Sequence, residues 1–360
     1  HTHQATQYFC TTNRFYSWLR THMDIVLIRG RENDSAVYRY FDVLKSIGSS
    51  VRLIVWNRSK SGGPVESNDD ILEVRIKSPT DSLRVVFYLP LWWAIELIYL
   101  IGLKPKAIGA FDIDTSIPAL LASKITKAEL TYVMLDYSPD CVAPGTAKIL
   151  AKVMTRIEKI MMQSANKIVL VDESRIEQVK GSKYSDKISI VHNIPLAKIS
   201  TDVSSVGVRE SDVITLLYAG ILHESRGIRC MIDSIIEIDD LTITIAGMGP
   251  LEDYVRIKAT EYPNKIKYVG QVNHEEVIKY TLCADAIIGF YDPRIRNNRF
   301  ASPNRFFEAM MYSKPLITNK GISIANIIEE NDSGFVIEYD NAGELQQLMK
   351  YLLSNKSERS

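Results

Sequence analysis

Short apolar runs alternate along this chain with stretches whose apolar positions recur three and four residues apart, the pattern of strands followed by helices. The first run, Asp24 to Arg29, ends at Gly30. It leads into a helical pattern through Val37, Tyr40, Phe41, Leu44 and Ile47 that stops at Gly48, before a second run, Val51 to Trp56. Further strands are predicted at Ala107–Phe111, Leu130–Leu135, Ile168–Val171 and Ile188–Val191, with helices at Ile117–Ile125 and Ile149–Ala165. Strand, glycine turn, helix, strand is the opening of a doubly wound parallel sheet. The same alternation starts afresh at Ile214–Gly220. It continues through a helix from Cys230 to Ile238, the runs Leu241–Ala246, Ala284–Tyr291, Pro315–Thr318 and Gly334–Glu338, and helices at Ile324–Glu330 and Ala342–Leu353.

Two α/β domains follow, at 23–200 and 201–360, with the polar, weakly patterned stretch from Leu196 to Asp212 as linker. Length agrees, since 360 residues with 46% hydrophobic content fill two cores of ordinary size. Residues 1–22 lack the apolar block of a signal peptide and read as expression-derived or upstream sequence ahead of the strand opened by Met23.

Val85 to Leu103 breaks the pattern: nineteen residues carry one charge, Glu96. Length alone permits a membrane span. Pro90, Glu96 and the strand that follows favour a buried core helix, with the alternative that Trp92, Trp93 and Tyr99 rest on a membrane surface. The helix at Ile149–Ala165 sets Lys148, Lys152, Arg156 and Lys159 at near-helical spacing, a solvated basic face or a site for anionic headgroups.

Charge and cysteine content narrow the chemistry mainly by exclusion. Lys plus Arg equals Asp plus Glu at 43 each, so no global field points to nucleic acid. Cys10, Cys141, Cys230 and Cys283 are scattered without metal-ligand spacing or a disulfide framework, which fits a reducing cytosol. No Gly-x-Gly-x-x-Gly follows a strand, so no dinucleotide fingerprint is present, and the six histidines form no His-x-x-x-His pair.

The densest stretch is Ala301 to Thr318 (ASPNRFFEAMMYSKPLIT). Ser302 suits an N-cap and Pro303 the first helical position. The amides of Asn304 and Arg305 at the start of that helix form a seat for phosphate. Glu308, among Phe306, Phe307, Met310 and Met311, is a carboxylate in an apolar setting that needs donors, which ribose hydroxyls would supply. Read alone, the segment also fits a surface helix with an Arg305–Glu308 ion pair. In an open parallel sheet, ligands sit at the carboxyl ends of strands, where Gly30, Asp112, Asp114, Asp136, Gly220 and Tyr291 fall. Asp112 or Asp114 also fits a simple helix cap. Arg294, Arg296 and Arg299 lie in the loop before the dense stretch, either solvated or available to phosphate.

That stretch resembles the nucleotide-sugar signature of family 4 glycosyltransferases, which usually read Ser-Pro-x-Lys-x-x-Glu-x-x-x-x-Gly-x-Pro-Val-Ile. Glu308 takes the place of the second glutamate of the longer form, Phe300 that of the first, and Ser313 that of the glycine. Phe-Asp-Ile-Asp-Thr from Phe111 is similar to the family's His-Asp-x-Asp-Thr, and Tyr-Val-Met-Leu-Asp136 stands where relatives read Tyr-Asp-x-His-Glu. Ile221 and Arg226 align with the Arg and Lys of Gly-Arg-Leu-x-x-x-Lys-Gly. Gly247-Met-Gly249-Pro resembles the Gly-x-Gly-Pro turn, where backbone approaches a ligand closely. The segment with Val272 and Glu276 resembles the one bordering the base.

The resemblance implies a GT-B fold, two doubly wound parallel-sheet domains facing a cleft, with an N-terminal acceptor domain and a C-terminal nucleotide-sugar domain. It implies a retaining glycosyltransferase of polysaccharide, lipopolysaccharide or glycolipid biosynthesis, acting without a metal or cofactor on a glycan or lipid-linked acceptor, in the cytoplasm or at the inner membrane face. Arg226 and the amides of Ser302 to Arg305 would hold the diphosphate, and Glu308 the ribose. Asp112 or Asp136 would orient the acceptor. A sugar-nucleotide epimerase and a non-catalytic relative remain open, because Phe111, Ile221 and Phe300 replace polar family residues.

Overall fold

The structure is a computed structural model that describes residues 25–32, 34–58, 70–79, 83–141, 148–195 and 213–355. Residues 1–22 and the whole of the expected linker, 196–212, lie outside these. The chain divides into two compact units after His192.

Unit 1 begins with β1 (Ile25–Arg29), α1 (Ser35–Ser46), β2 (Val51–Asn57) and β3 (Ile71–Arg75), followed by α2 (Leu89–Leu103), β4 (Ala107–Phe111), α3 (Ser116–Thr126) and β5 (Glu129–Met134). It ends with α4 (Lys148–Ser164), β6 (Lys167–Leu170), α5 (Ser174–Gln178) and β7 (Ile188–Ile190). Every pairing is parallel and the strand order is β3-β2-β1-β4-β5-β6-β7, so the order reverses between β1 and β4. Helices cover both faces. In β1, Val26 and Ile28 enter one core with Trp92, Ala119 and Met161, while Ile25 and Leu27 enter the other with Val37 and Phe41. The period of two in a strand assigns them so.

Two features of unit 1 differ from the sequence reading. The edge strand β3 was not predicted, because Ile71-Leu-Glu-Val-Arg75 alternates polar and apolar residues and is only partly buried. The helix from Leu89 is not a core helix on all sides. Only Trp92, Glu96 and Leu100, at i, i+4 and i+8, are buried, while Leu91, Ile98 and Tyr99 are exposed. Of its two tryptophans, Trp92 is buried and Trp93 half-buried. Trp92 is fully buried and stacked on Trp56 with centroids 5.5 Å apart, and the indole nitrogens of Trp92 and Trp93 both donate to the carbonyl of Asp114, at 3.0 and 2.8 Å. Among the described residues no helix is long and apolar enough to cross a membrane.

Unit 2 runs β8 (Ile214–Ala219), α6 (Ile228–Ile236), β9 (Leu241–Ala246), α7 (Glu252–Glu261), β10 (Ile266–Gly270), α8 (His274–Cys283) and β11 (Ala286–Ile288). It continues with α9 (Arg296–Arg299), α10 (Asn304–Met311), β12 (Leu316–Asn319), α11 (Ser323–Glu330), β13 (Gly334–Ile337) and α12 (Ala342–Ser354). The parallel order β10-β9-β8-β11-β12-β13 reverses between β8 and β11. Helix α12 sends Leu345, Met349 and Leu352 into the core that also holds Met231 and Ile235 of α6. The expected run from Ala284 to Tyr291 shortens to a three-residue strand, freeing Gly289 to Tyr291 for the site below.

Buried charge in unit 1 makes a pH-dependent contribution to stability. Glu158 on α4 is fully buried, and its Oε2 accepts from the Tyr132 hydroxyl at 2.7 Å. Burial pushes its pKa up to about 8, so the folded protein holds the proton that the unfolded chain releases at its ordinary, lower pKa. Its contribution is therefore complete below the unfolded pKa and is lost as pH rises through about 8, at about 1.4 kcal/mol per pH unit. Glu158→Gln keeps the neutral shape. Melting temperatures of wild type and variant should converge at pH 5 and separate at pH 8, with the variant the more stable; an unchanged wild-type advantage at both values contradicts the assignment.

Candidate functional site

At the order reversal of unit 2, the strand ends carry glycine where two loops press together. A Cβ on Gly247 would lie 1.9 Å from the Gly220 carbonyl oxygen, and one on Gly249 would lie 2.5 Å from that of Leu222. Both glycines also have positive φ. Contact between the two loops, rather than approach of a ligand, is therefore sufficient reason for glycine at 247 and 249. Gly220 differs, because its Cβ would meet the Nη2 of Arg305 at 1.9 Å.

Arg305 is the central side chain here. It is largely buried, passes under Gly289 and lays its guanidinium 4.7 Å from the Tyr218 ring centroid and 5.9 Å from that of Tyr291. Its Nη1 is enclosed and has no hydrogen-bond partner, and among the described residues Arg305 forms no ion pair. Burial works to lower its pKa, but Tyr291, Tyr218 and Glu308 raise it, so it stays cationic. The surface pair Arg305–Glu308 is thus not the arrangement found. Arg226 stacks on the other neighbour, with its Cζ 4.1 Å from the Tyr291 centroid, and its Nη1 donates to Asn298 Oδ1 at 3.3 Å. Two cations therefore flank one buried tyrosine at the ends of β8 and β11.

The helix carrying Arg305 starts one residue later than the sequence suggests. Pro303 is the N-cap residue, extended and without a side-chain cap, rather than the first helical residue. Ser302 precedes it, buried, with its carbonyl accepting from Asn193 Nδ2 at 3.2 Å. Asn304 and Arg305 open the helix. Glu308 lies one turn on, 14% exposed at its side chain, with Oε1 3.7 Å from His274 Nδ1. Val272 is partly buried in the turn before α8. Glu276 is spent locally, exchanging hydrogen bonds with Asn273 as a capping box, a signal readable as Asn-x-x-Glu. Among the loop arginines, Arg294 is clamped on Asp292 at 2.8 Å and Arg299 donates to the Pro293 carbonyl at 2.6 Å, so neither is held ready for phosphate.

Unit 1 places Gly30 and the acidic residues at its own reversal point. A Cβ on Gly30 would strike the Asp114 carboxylate at 2.2 Å. Asp112 occupies the N-cap position of a short 3-10 turn, Ile113–Thr115, but its side chain caps nothing: its Oδ2 takes Arg29 at 2.5 Å, and its Oδ1 takes the amides of Leu135 and Asp136 at 2.8 and 3.3 Å. Burial raises its pKa to about 6 despite Arg29. Arg29 also binds Asp34, and Asp114 binds Arg58 at 2.8 Å. Both carboxylate oxygens of Asp112 are thus occupied within unit 1. Asp136 is the more open carboxylate, 57% exposed, with Arg175 at 3.2 Å. Sequence reasoning missed Arg29, Arg58 and Arg175; an arginine closing an apolar strand just before Gly30 was the available signal. Phe111, at the family's histidine position, is fully buried and edge-on to Tyr40, so no side chain there projects into a site.

Among the described residues, Asp172, Glu173 and His192 stand close enough to share a metal, a grouping invisible in the sequence spacing. Asp172 Oδ1 is already engaged by Ser174, and His192 Nδ1 lies 3.2 Å from the Val171 carbonyl.

Residues 213–355 match the family model described as "Glycosyl transferases group 1". No curated protein matches the chain. Solved structures do, at low identity. Sucrose-phosphate synthase from Thermosynechococcus elongatus superposes with a TM-score of 0.69 at 14% identity, covering 93% of this chain and 91% of that one. HepE from Anabaena, in complex with UDP and glucose, gives 0.65 at 14% identity over 94% and 92%. WaaG, a glycosyltransferase involved in lipopolysaccharide biosynthesis, gives 0.65 at 11% identity over 93% and 92%. These likenesses establish the GT-B architecture for the two parallel sheets, and the family match covers the sheet that holds Arg226, Arg305 and Glu308. The chain has the GT-B fold, and its residues 213–355 are similar to the glycosyl transferases group 1 family.

Proposed function

We propose that the chain is a retaining glycosyltransferase that moves a sugar from a nucleoside-diphosphate donor to a glycan or lipid-linked acceptor. The observation that carries this reading is the pair of cations around Tyr291, one of which, Arg305, has an enclosed donor without a partner. A buried cation without a carboxylate is costly unless an anion completes it. A diphosphate fits: Arg226 offers a partly exposed guanidinium, and the first amides of α10 point the same helix's positive end at an anion. Glu308, one turn further on, would accept from ribose hydroxyls.

In the reaction the donor's C1–O bond to the diphosphate breaks and a bond from C1 to an acceptor hydroxyl oxygen forms. The hydroxyl proton leaves toward the departing phosphate on the same face, so no protein nucleophile is required. Arg226 and Arg305 would offset the negative charge that grows on that phosphate. Asp136, the more exposed of the two carboxylates, would orient the acceptor. The setting that suits such an acceptor is surface polysaccharide or glycolipid assembly on the cytoplasmic side of a membrane. The buried Phe111 favours one competitor, a relative that binds nucleotide without turnover.

Two measurements test the donor site. Melting temperatures with UDP, GDP, ADP, CMP and TDP and their sugars should rise for one base only; a ligand at a hundredfold above its dissociation constant adds about 2.7 kcal/mol. Glu308→Ala should abolish that rise, and a chain that responds to no nucleotide is not a transferase of this kind. Arg305→Met should weaken the chosen nucleoside diphosphate by about tenfold or more, as loss of a charge-assisted contact worth about 1.5–3 kcal/mol requires. Binding of the parent nucleoside should be unaffected. Equal losses for both ligands by calorimetry would place Arg305 in the fold and outside the phosphate site.

A further inference from the structure

Helices α2, α3 and α4 cover one face of the first sheet, and each feeds the same core: Trp92 and Leu100, Ala119 and Ala122, Met161 and Met162. Their outer sides are unusual in two respects. Nineteen large hydrophobic side chains are exposed among the described residues, and eleven of them sit on these three helices and the short turn leading into α2. Phe87 is 84% exposed, Ile98 69%, Ile125 60% and Ile149 80%. They are in register with the helix period. On α4, Ile149, Val153, Arg156 and Ile160 form a row opposite the buried Glu158, Met161 and Met162, and on α2 Leu91 and Ile98 lie opposite Trp92, Glu96 and Leu100.

Charge is sorted as strictly. The three helices contain two carboxylates, Glu96 and Glu158, and both are fully buried. Every exposed charge on them is a cation: Lys124, Lys148, Lys152, Arg156 and Lys159. Lys104 and Lys127, just past the ends of α2 and α3, add two more. An apolar row flanked by lysines, across three neighbouring helices none of which can span a bilayer, is the form of a surface that lies on lipid. Tyr88 and Tyr99, both exposed, suit the headgroup boundary. A second copy of this chain would bring the same cations against themselves, so the sign of the surface argues against self-association and for an anionic partner.

We propose that the outer layer of α2, α3 and α4 docks on the surface of a bilayer containing anionic phospholipid. The apolar row enters the headgroup boundary while Lys124, Lys148, Lys152, Arg156 and Lys159 meet lipid phosphates. The surface lies wholly within unit 1 and does not depend on the donor site. It deepens the transferase reading by bringing the enzyme to a lipid-linked acceptor.

The full chain should co-sediment with vesicles of phosphatidylcholine mixed with a minority of phosphatidylglycerol, but not with vesicles of phosphatidylcholine alone, and salt should weaken the binding. Each lost cation costs about fivefold in binding, so Lys152→Glu/Arg156→Glu should weaken it by about twentyfold or more. Ile98→Ser/Ile149→Ser, which touches no charge, should also weaken it. Arg52→Glu/Lys350→Glu, on exposed positions elsewhere, should leave it unchanged. Circular dichroism checks that each variant is folded. Absence of binding, equal binding to both vesicle types, or binding indifferent to Lys152→Glu/Arg156→Glu overturns the proposal. So does a concentration-dependent dimer abolished by the same substitutions, which would assign the face to a second copy. Vesicle binding involves no nucleotide, so its failure leaves the donor site standing, and failure of the nucleotide screen leaves the surface standing.

Discussion

Charge held away from water at the carboxyl ends of parallel strands is the constraint around which both units are arranged. Arg29 leaves β1 where the first sheet reverses order, and it is buried against Asp112 and Asp34. Desolvating such a pair costs several kcal/mol per ion and is tolerable only when the remaining donors and acceptors are filled. They are filled here: Arg29 reaches two carboxylates, Asp112 accepts from two amides beyond β5, and Asp34 also caps α1 through Ala36. The ends of β1, β4 and β5 and the start of α1 are fixed by one network. The geometry of Asp136 follows from it, since its own amide is one of the donors to Asp112.

Unit 2 meets the same constraint in the opposite way. Arg305 occupies the equivalent reversal point between β8 and β11, but its neighbours are tyrosine rings and glycine backbone in place of carboxylates. Ring faces lower the cost of a buried cation without neutralising it. One reversal point is thus internally balanced and rigid, while the other retains positive charge. That asymmetry arises because Gly220 and Gly289 leave room for a guanidinium that a side chain would fill.

Most of the fold was legible because parallel strands buried on both faces are continuous apolar runs: Leu241–Ala246 matches its run residue for residue, and Ile214–Ala219 ends one residue before the expected Gly220. β3 was not legible: an edge strand is buried on fewer sides, and Glu73 and Arg75 give it the look of a loop. The site was legible in position more than in cause. Gly247 and Gly249 stood out as close-approach glycines, yet the atoms they approach are the chain's own carbonyls. Arg305 was noticed for its amide, but it is the side chain that lies enclosed at the reversal point, and enclosure of a guanidinium between residues far apart in sequence leaves no local pattern. For α2 the sum of hydrophobicity misled: composition reports how apolar a helix is, whereas Trp92, Glu96 and Leu100 at a spacing of four show which narrow side is inward.

The inward carboxylates tie these points together. Neither oxygen of Glu96 has a hydrogen-bond partner, and burial, with Asp114 adding to it, raises its pKa well above the ordinary range. Glu158 is raised too, and it is bonded to Tyr132 in the middle of β5. An acid that only served helix solubility would face water, at no such cost. Turning both inward removes every negative charge from the outer side of α2, α3 and α4, at the expense of stability that rises and falls with pH. It also couples that outer layer to the strand whose end supplies the amides for Asp112, so that the helices bearing the exposed apolar row share buried contacts with the network that sets the position of Asp136.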